Sequence, residues 1–143
     1  MKDKRGFTLI ELIVVLGLAG VVMSVVMSFF IANYKSYETI NTESEVQYQS
    51  QFIINYMTNK ILEAESFDGS EFKYYDGNIA TFEIEGKKIK HTFDGHDAYV
   101  GNYVKELYIV PQGPSEVKVT LVLEKGKNDS YSAEQLIFMR NSR

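Results

Sequence analysis

The chain of 143 residues contains no cysteine. That absence removes three classes together: a disulfide framework, a thiolate metal site and a cysteine nucleophile. An exported domain built from this sequence must hold itself together by packing and hydrogen bonding, with 10 Tyr and 9 Phe to furnish a core. Basic charge is short as well. Fifteen Lys and Arg face 19 Asp and Glu, giving a net charge of −4 and a pI of about 5.2. A protein that reads nucleic-acid backbones normally presents a basic face, so no direct nucleic-acid binding is expected. No P-loop, G-x-S-x-G or dinucleotide fingerprint occurs, which leaves an enzyme, and a cofactor for one, without sequence support. A length of 143 residues bounds the chain to one modest domain.

What is present is unevenly distributed. The mean hydropathy of −0.17 averages over a segregation of apolar residues at one end. Between Leu12 and Ala32 no residue is charged, and Ser24 and Ser28 are the only hydroxyls. A bilayer is crossed by about 20 apolar residues in a helix, so this run is long enough to span. Before it stand Lys2, Lys4 and Arg5 against one acid, Asp3; the first charges after it are Lys35, Glu38, Glu43 and Glu45. Basic flanks stay in the cytoplasm, which places the N-terminus inside and the bulk of the protein outside. The run exceeds the h-region of a secretory signal peptide and no A-x-A-like site closes it, so it is expected to be retained.

The apolar run continues without proline into a segment where Val46, Ile53, Met57, Ile61 and Ala64 recur at helical steps. One helix is therefore expected from Phe7 to about Glu65, its stripe forming the seam for a C-terminal domain. A separate coiled coil is the alternative, although the stripe is not a sustained heptad repeat. After Phe67-Asp68-Gly69-Ser70 the period becomes two. Ala80, Phe82 and Ile84 alternate with polar residues, Gly86-Lys87 offers a turn, and Ile89, His91 and Phe93 alternate on the return, a hairpin pattern. A glycine-rich loop, Asp94–Asn102, is expected to lead into a strand at Tyr103–Val110. Pro111-Gln112-Gly113-Pro114 breaks the chain, and two more strands follow around Val117–Leu123 and Tyr131–Met139. The expected fold is α+β: a long N-terminal helix packed on an antiparallel sheet of four or five strands. Its segments are a leader (1–6), a membrane or assembly helix (7–32), an amphipathic stalk (33–65) and a β domain (66–143).

The most specific signal is Lys4-Arg5-Gly6-Phe7-Thr8-Leu9-Ile10-Glu11-Leu12 followed by the uncharged run. A short basic leader ending in Gly, then Phe-Thr-Leu-Ile-Glu-Leu, closely resembles the type IV prepilin and type II secretion pseudopilin family over about 25 residues. The resemblance implies that a prepilin peptidase cuts between Gly6 and Phe7 and methylates the new Phe7 amine. It also implies assembly with other pilins or pseudopilins through an inner-membrane platform, with Phe7, Thr8, Leu9, Ile10, Glu11 and Leu12 in the subunit contacts. Glu11 is the physically odd residue, since a carboxylate in an apolar helix is costly unless paired. The family suggests the Phe7 amine of a neighbouring subunit as its partner. Two family features are missing: Ser28 stands where many major pilins carry a helix-bending Pro, and there is no C-terminal cysteine pair. These departures point away from a major subunit and toward a minor pilin or minor pseudopilin, with a minor subunit of a type IV pilus as the first expectation. A pseudopilin of a competence or type II secretion machine, and a membrane-anchored binding module that never polymerises, stand as alternatives.

Other candidates are weaker. Asp94-Gly95-His96-Asp97 offers two carboxylates, Asp94 and Asp97, to a cation, without EF-hand spacing. His91 and His96 lack a third zinc ligand at recognisable spacing. The pairs Glu63/Glu65 and Glu83/Glu85 read as solvated faces. Tyr74-Tyr75 and the tyrosines of Tyr99–Tyr103 read as core or strand residues before an adhesive patch.

Overall fold

The structure, a computed structural model, describes residues 8–126 and 129–140. It contains one long helix, α1 (Leu9–Leu62), followed by eight antiparallel strands. By its internal contacts the chain divides into two units, one ending at Asn41 and the other beginning at Thr42.

In the first unit every described side chain is exposed, Leu, Ile, Val and Phe included. The most apolar 18-residue window of α1 reaches a mean hydropathy of 2.7. A helix that is apolar all round has no polar face to offer water, so lipid or other helices must complete it.

The second unit has a packed core. Val46, Ile53, Met57 and Ile61 of α1 are at most 2% exposed, and Ala64 just beyond the helix is fully buried. These are the five residues of the helical stripe in the sequence. Ser50 shares their face and is buried too. Sheet A comprises β1 (Ser66–Phe67), β2 (Phe72–Lys73), β3 (Ile79–Glu85), β4 (Lys88–Phe93) and β5 (His96–Val100), paired in chain order. It contributes Phe72, Ala80, Phe82, Ile89 and Val100 to the core, with Tyr74 just beyond β2. Sheet B comprises β6 (Val104–Pro111), β7 (Glu116–Lys125) and β8 (Asp129–Phe138), also in chain order. Along β7 the alternation is strict: Val117, Val119, Leu121 and Leu123 are fully buried, and Ile137 of β8 joins them. Each such side chain gains about 1.5–3 kcal/mol on leaving water, so the shared core of helix and both sheets dominates the stability of this unit.

Two differences from the sequence-based expectation have clear causes. The strands form two sheets of five and three, in place of four or five strands in one. The added strands β1 and β2 are two residues long, too short to show any period. The expected loop Asp94–Asn102 contains β5. Phe93 pairs with His96 across a two-residue turn in which Asp94 and Gly95 have φ of 48° and 75°. Asp-Gly suits that left-handed pair, the type I′ hairpin geometry. In β5 only Val100 is buried, so no alternation of apolar residues betrayed the strand. The hairpin at Gly86-Lys87 is present as expected, with Glu85 paired to Lys88.

The C-terminal end of α1 is fastened to both sheets. The last carbonyls of a helix lack intrahelical partners. Here the Tyr74 hydroxyl donates to the Lys60 carbonyl at 2.9 Å, the Ala64 amide to Ile61 at 3.0 Å, and the Arg140 amide to Leu62 at 3.0 Å. Burial, with the nearby Glu63 carboxylate, pushes the Tyr74 phenol up to about 12, so it remains a donor throughout the physiological range.

Candidate functional site

The site begins where the helix begins. Thr8 precedes the first residue of α1 and Glu11 lies in its first turn. The Glu11 carboxylate accepts from both the Thr8 backbone amide and the Thr8 hydroxyl at 2.9 Å, while the Glu11 amide donates back to Thr8 Oγ1 at 3.4 Å. This is a capping box, in which Thr and Glu three residues apart satisfy each other's free donors at a helix start. It explains why the helix begins where it does. Ile10, Val14 and Val15 flank Glu11 along a shallow apolar groove. Leu9, Ile10 and Leu12 are exposed around it. Gly6 and Phe7, the expected cleavage pair, lie outside the described residues. The capping role of Thr8 was missed in the sequence reading although Thr8-Leu9-Ile10-Glu11 spells T-x-x-E before an apolar run.

The two halves of the weak cation candidate do not act together. Thr92 donates its hydroxyl to Asp97 at 2.6 Å, and the Lys90 ammonium lies 3.1 Å from the same carboxylate. Both hold the Asp97 carboxyl below its usual range, and a lysine already occupies the place of a cation. Asp94 sits in the I′ turn. Among the described residues no three His, Asp or Glu side chains converge to hold a metal.

His91 and His96 are not brought together either. His96 is exposed at the start of β5, whereas His91 is 3% exposed on β4 and stacked on Phe82 with ring centroids 4.6 Å apart. Its Nδ1 is hydrogen-bonded to the Tyr56 hydroxyl at 2.9 Å, and its buried Nε2 has no partner among the described residues. A protonated ring would carry N–H on both nitrogens with an acceptor for one at most. Burial first, and the Lys60 ammonium second, hold the imidazole below its ordinary value. The unfolded chain takes up this proton near pH 6.5 and the folded chain resists it. The stability so contributed is complete above that pH and is lost as the pH falls below it. The melting temperature is therefore expected to drop between pH 7.5 and pH 5, and to drop less steeply in His91→Gln. Equal slopes in the two proteins would remove His91 from the account.

A third polar cluster joins α1 to sheet B. The Glu45 carboxylate accepts from the Tyr103 hydroxyl at 2.8 Å and from the Lys125 ammonium, which also lies 5.4 Å from the centre of the Tyr103 ring. The Lys125 contact first, and the Tyr103 contact second, lower the Glu45 carboxyl from its ordinary value. The Tyr103 backbone is left-handed, with φ of 65°. None of these three residues was singled out for it in the sequence, because their separations of 58 and 80 residues leave no local pattern.

These clusters in the second unit fasten elements of the fold to one another. The first turn of α1 is different: a carboxylate placed by a threonine among exposed apolar side chains, with only local bonds to satisfy it among the described residues. No curated protein and no solved structure matches the chain. Residues 1–27 match the family described as the prokaryotic N-terminal methylation motif.

Proposed function

We propose, on the strength of a methylation motif that is the hallmark of type IV prepilins and pseudopilins, that this chain is a minor structural subunit of a type IV pilus or pilus-like filament. The motif supports a type IV pilin-like precursor and points to a structural subunit rather than an enzyme. The observation that carries the proposal is the joining of that motif to a helix whose apolar side chains are exposed on every side from Leu9 to Ile31.

In this reading the chain is first a single-pass membrane protein, N-terminus in the cytoplasm and β domain outside. Prepilin peptidase cuts after Gly6, where the missing Cβ lets the enzyme approach the backbone closely. It then methylates the Phe7 amine. The leader takes away three bases and one acid, so the side-chain charge changes from −4 to −6. The apolar helix then exchanges lipid for neighbouring pilin helices, and Glu11 exchanges its local partner for the Phe7 amine of a neighbour. The inner-membrane platform drives that exchange, and the filament reaches the cell surface.

Intact mass and N-terminal sequencing test the first step. Co-expression with a prepilin peptidase is expected to give a chain that begins at Phe7 with one added methyl group. A chain that keeps Met1 while a known prepilin in the same membranes is cut would overturn the reading in favour of a fixed membrane-anchored binding module. A processed chain that co-purifies with a secretion or DNA-uptake filament instead of a motility or adhesion pilus would assign it to a pseudopilin.

A further inference from the structure

The far end of the apolar run bears on Glu11. Tyr34 and Tyr37 are 72% and 71% exposed, and Lys35 stands between them with Glu38 just beyond. Phe30, Tyr34 and Lys35 flank one shallow apolar groove on the helix, so Tyr34 continues the lipid-suited surface up to the first charges in the sequence. Tyrosine collects at such levels because the ring fits the edge of the hydrocarbon and the hydroxyl fits the headgroups. A lysine there keeps its stem in the apolar zone and its charge in water.

Counting back from this cluster fixes the other face. A hydrocarbon layer of about 30 Å takes roughly 20 helical residues at about 1.5 Å each. With Ala32 at the outer edge, an upright helix reaches the inner edge near Leu12, and a tilt of about 20° adds roughly one residue. Side chains on a helix lean toward its N-terminus. The Glu11 carboxylate does so, folded back onto the Thr8 amide and hydroxyl at 2.9 Å, away from the apolar run.

We propose that the Tyr34–Lys35–Tyr37 cluster lies in the outer headgroup layer and thereby sets Glu11 in the inner one, in contact with water, rather than within the hydrocarbon. The inference rests on the membrane-anchored reading above, with the N-terminus in the cytoplasm. On this account Glu11 in contact with water needs no charged partner while it is in the bilayer. The need for one arises only when the helix leaves lipid for a protein-lined interior, so the cost of an unpaired carboxylate acts at assembly and not at insertion.

The absence of cysteine makes the depth directly measurable, since any introduced thiol is the only one. Single variants Ile10→Cys, Leu12→Cys, Leu18→Cys, Ile31→Cys and Tyr37→Cys are made in the full chain, in cells that assemble no filament. Right-side-out and inside-out vesicles are treated with a membrane-impermeant maleimide. Positions 10 and 12 are expected to label from the inner face at least about tenfold faster than position 18, because a thiolate forms only where water reaches. Position 37 should label from the outer face and position 31 should not. Protection of both 10 and 12 from both faces, with 37 labelled outside, would place Glu11 in the hydrocarbon and overturn the proposal. Outer labelling at 31 would overturn it by moving the outer boundary inward. Labelling at every position, 18 and 31 included, is a different failure, since it would show that the helix is not in the bilayer. Filament formation plays no part in the measurement, so a failure of the assembly reading leaves it interpretable.

Discussion

Glu11→Ala is expected to be cut after Gly6 and methylated at Phe7 like the parent chain, yet to enter filaments at least about 100-fold less often, the loss expected when one member of a buried ion pair is deleted and the other is left unpaired. In the proposed pathway the peptidase acts on the Gly6–Phe7 bond, four residues upstream of Glu11, before any subunit contact exists. In the proposed filament the helix differs because its Phe7 ammonium would have left water. Glu11→Gln separates the capping that the structure shows from the charge pairing that the proposed assembly adds. Glutamine still completes a capping box with Thr8 but carries no charge. If charge pairing is what matters, Glu11→Gln fails as Glu11→Ala does. Quantitative immunoblots of sheared filaments against total membrane protein give the ratio. Normal incorporation of Glu11→Gln would assign the role to the capping box, and normal incorporation of Glu11→Ala would leave Glu11 without a role in assembly.

The second large effect is in the β domain. Gly101 follows β5 with φ of 69°, and a Cβ built there would collide with Cγ1 and Cδ1 of Ile53, which is fully buried. Two costs combine in Gly101→Ala: displacement of the Ile53 side chain within a packed core, and a left-handed backbone that alanine tolerates poorly. Together they amount to about 2–4 kcal/mol. For a unit of this size the melting temperature should fall by roughly 10–20 °C. In an Ile53→Val background one of the two colliding atoms is gone, so the same substitution should cost less. Thermal unfolding of the detergent-solubilised chain, followed by tyrosine circular dichroism, measures all four members of the cycle. An identical loss in both backgrounds would show that contact with Ile53 is not the cause.

Gly101 also marks a limit of reading from sequence. The stripe from Val46 to Ala64 and the alternation of Val117, Val119, Leu121 and Leu123 were legible because burial on one face imposes a period on the residues themselves. The fold class followed from those two periods. The strand β5 and the division into two sheets were not legible, since an edge strand with four exposed residues has no apolar rhythm. The approach of Gly101 to Ile53 and the Glu45–Tyr103–Lys125 cluster were equally silent, because they join residues far apart in the chain. For the candidate site the position was reversed. Glu11 stood out as a charge where apolar residues were required, and the T-x-x-E spacing that satisfies it was present in the same four letters.

The bonds that hold α1 to the sheets have a mechanical consequence. One set lies near the start of the buried stretch, where Glu45 meets Tyr103 and Lys125; the other lies at its end, where Tyr74 and the Arg140 amide hold the carbonyls of Lys60 and Leu62. A stretch fastened at both ends, with Ile53 and Met57 interlocked between, cannot be peeled from one end in response to a pull along the helix axis. Load applied through the helix meets both fastenings and the interlocked side chains at once. That is shear, the loading direction in which many weak contacts resist together rather than in turn.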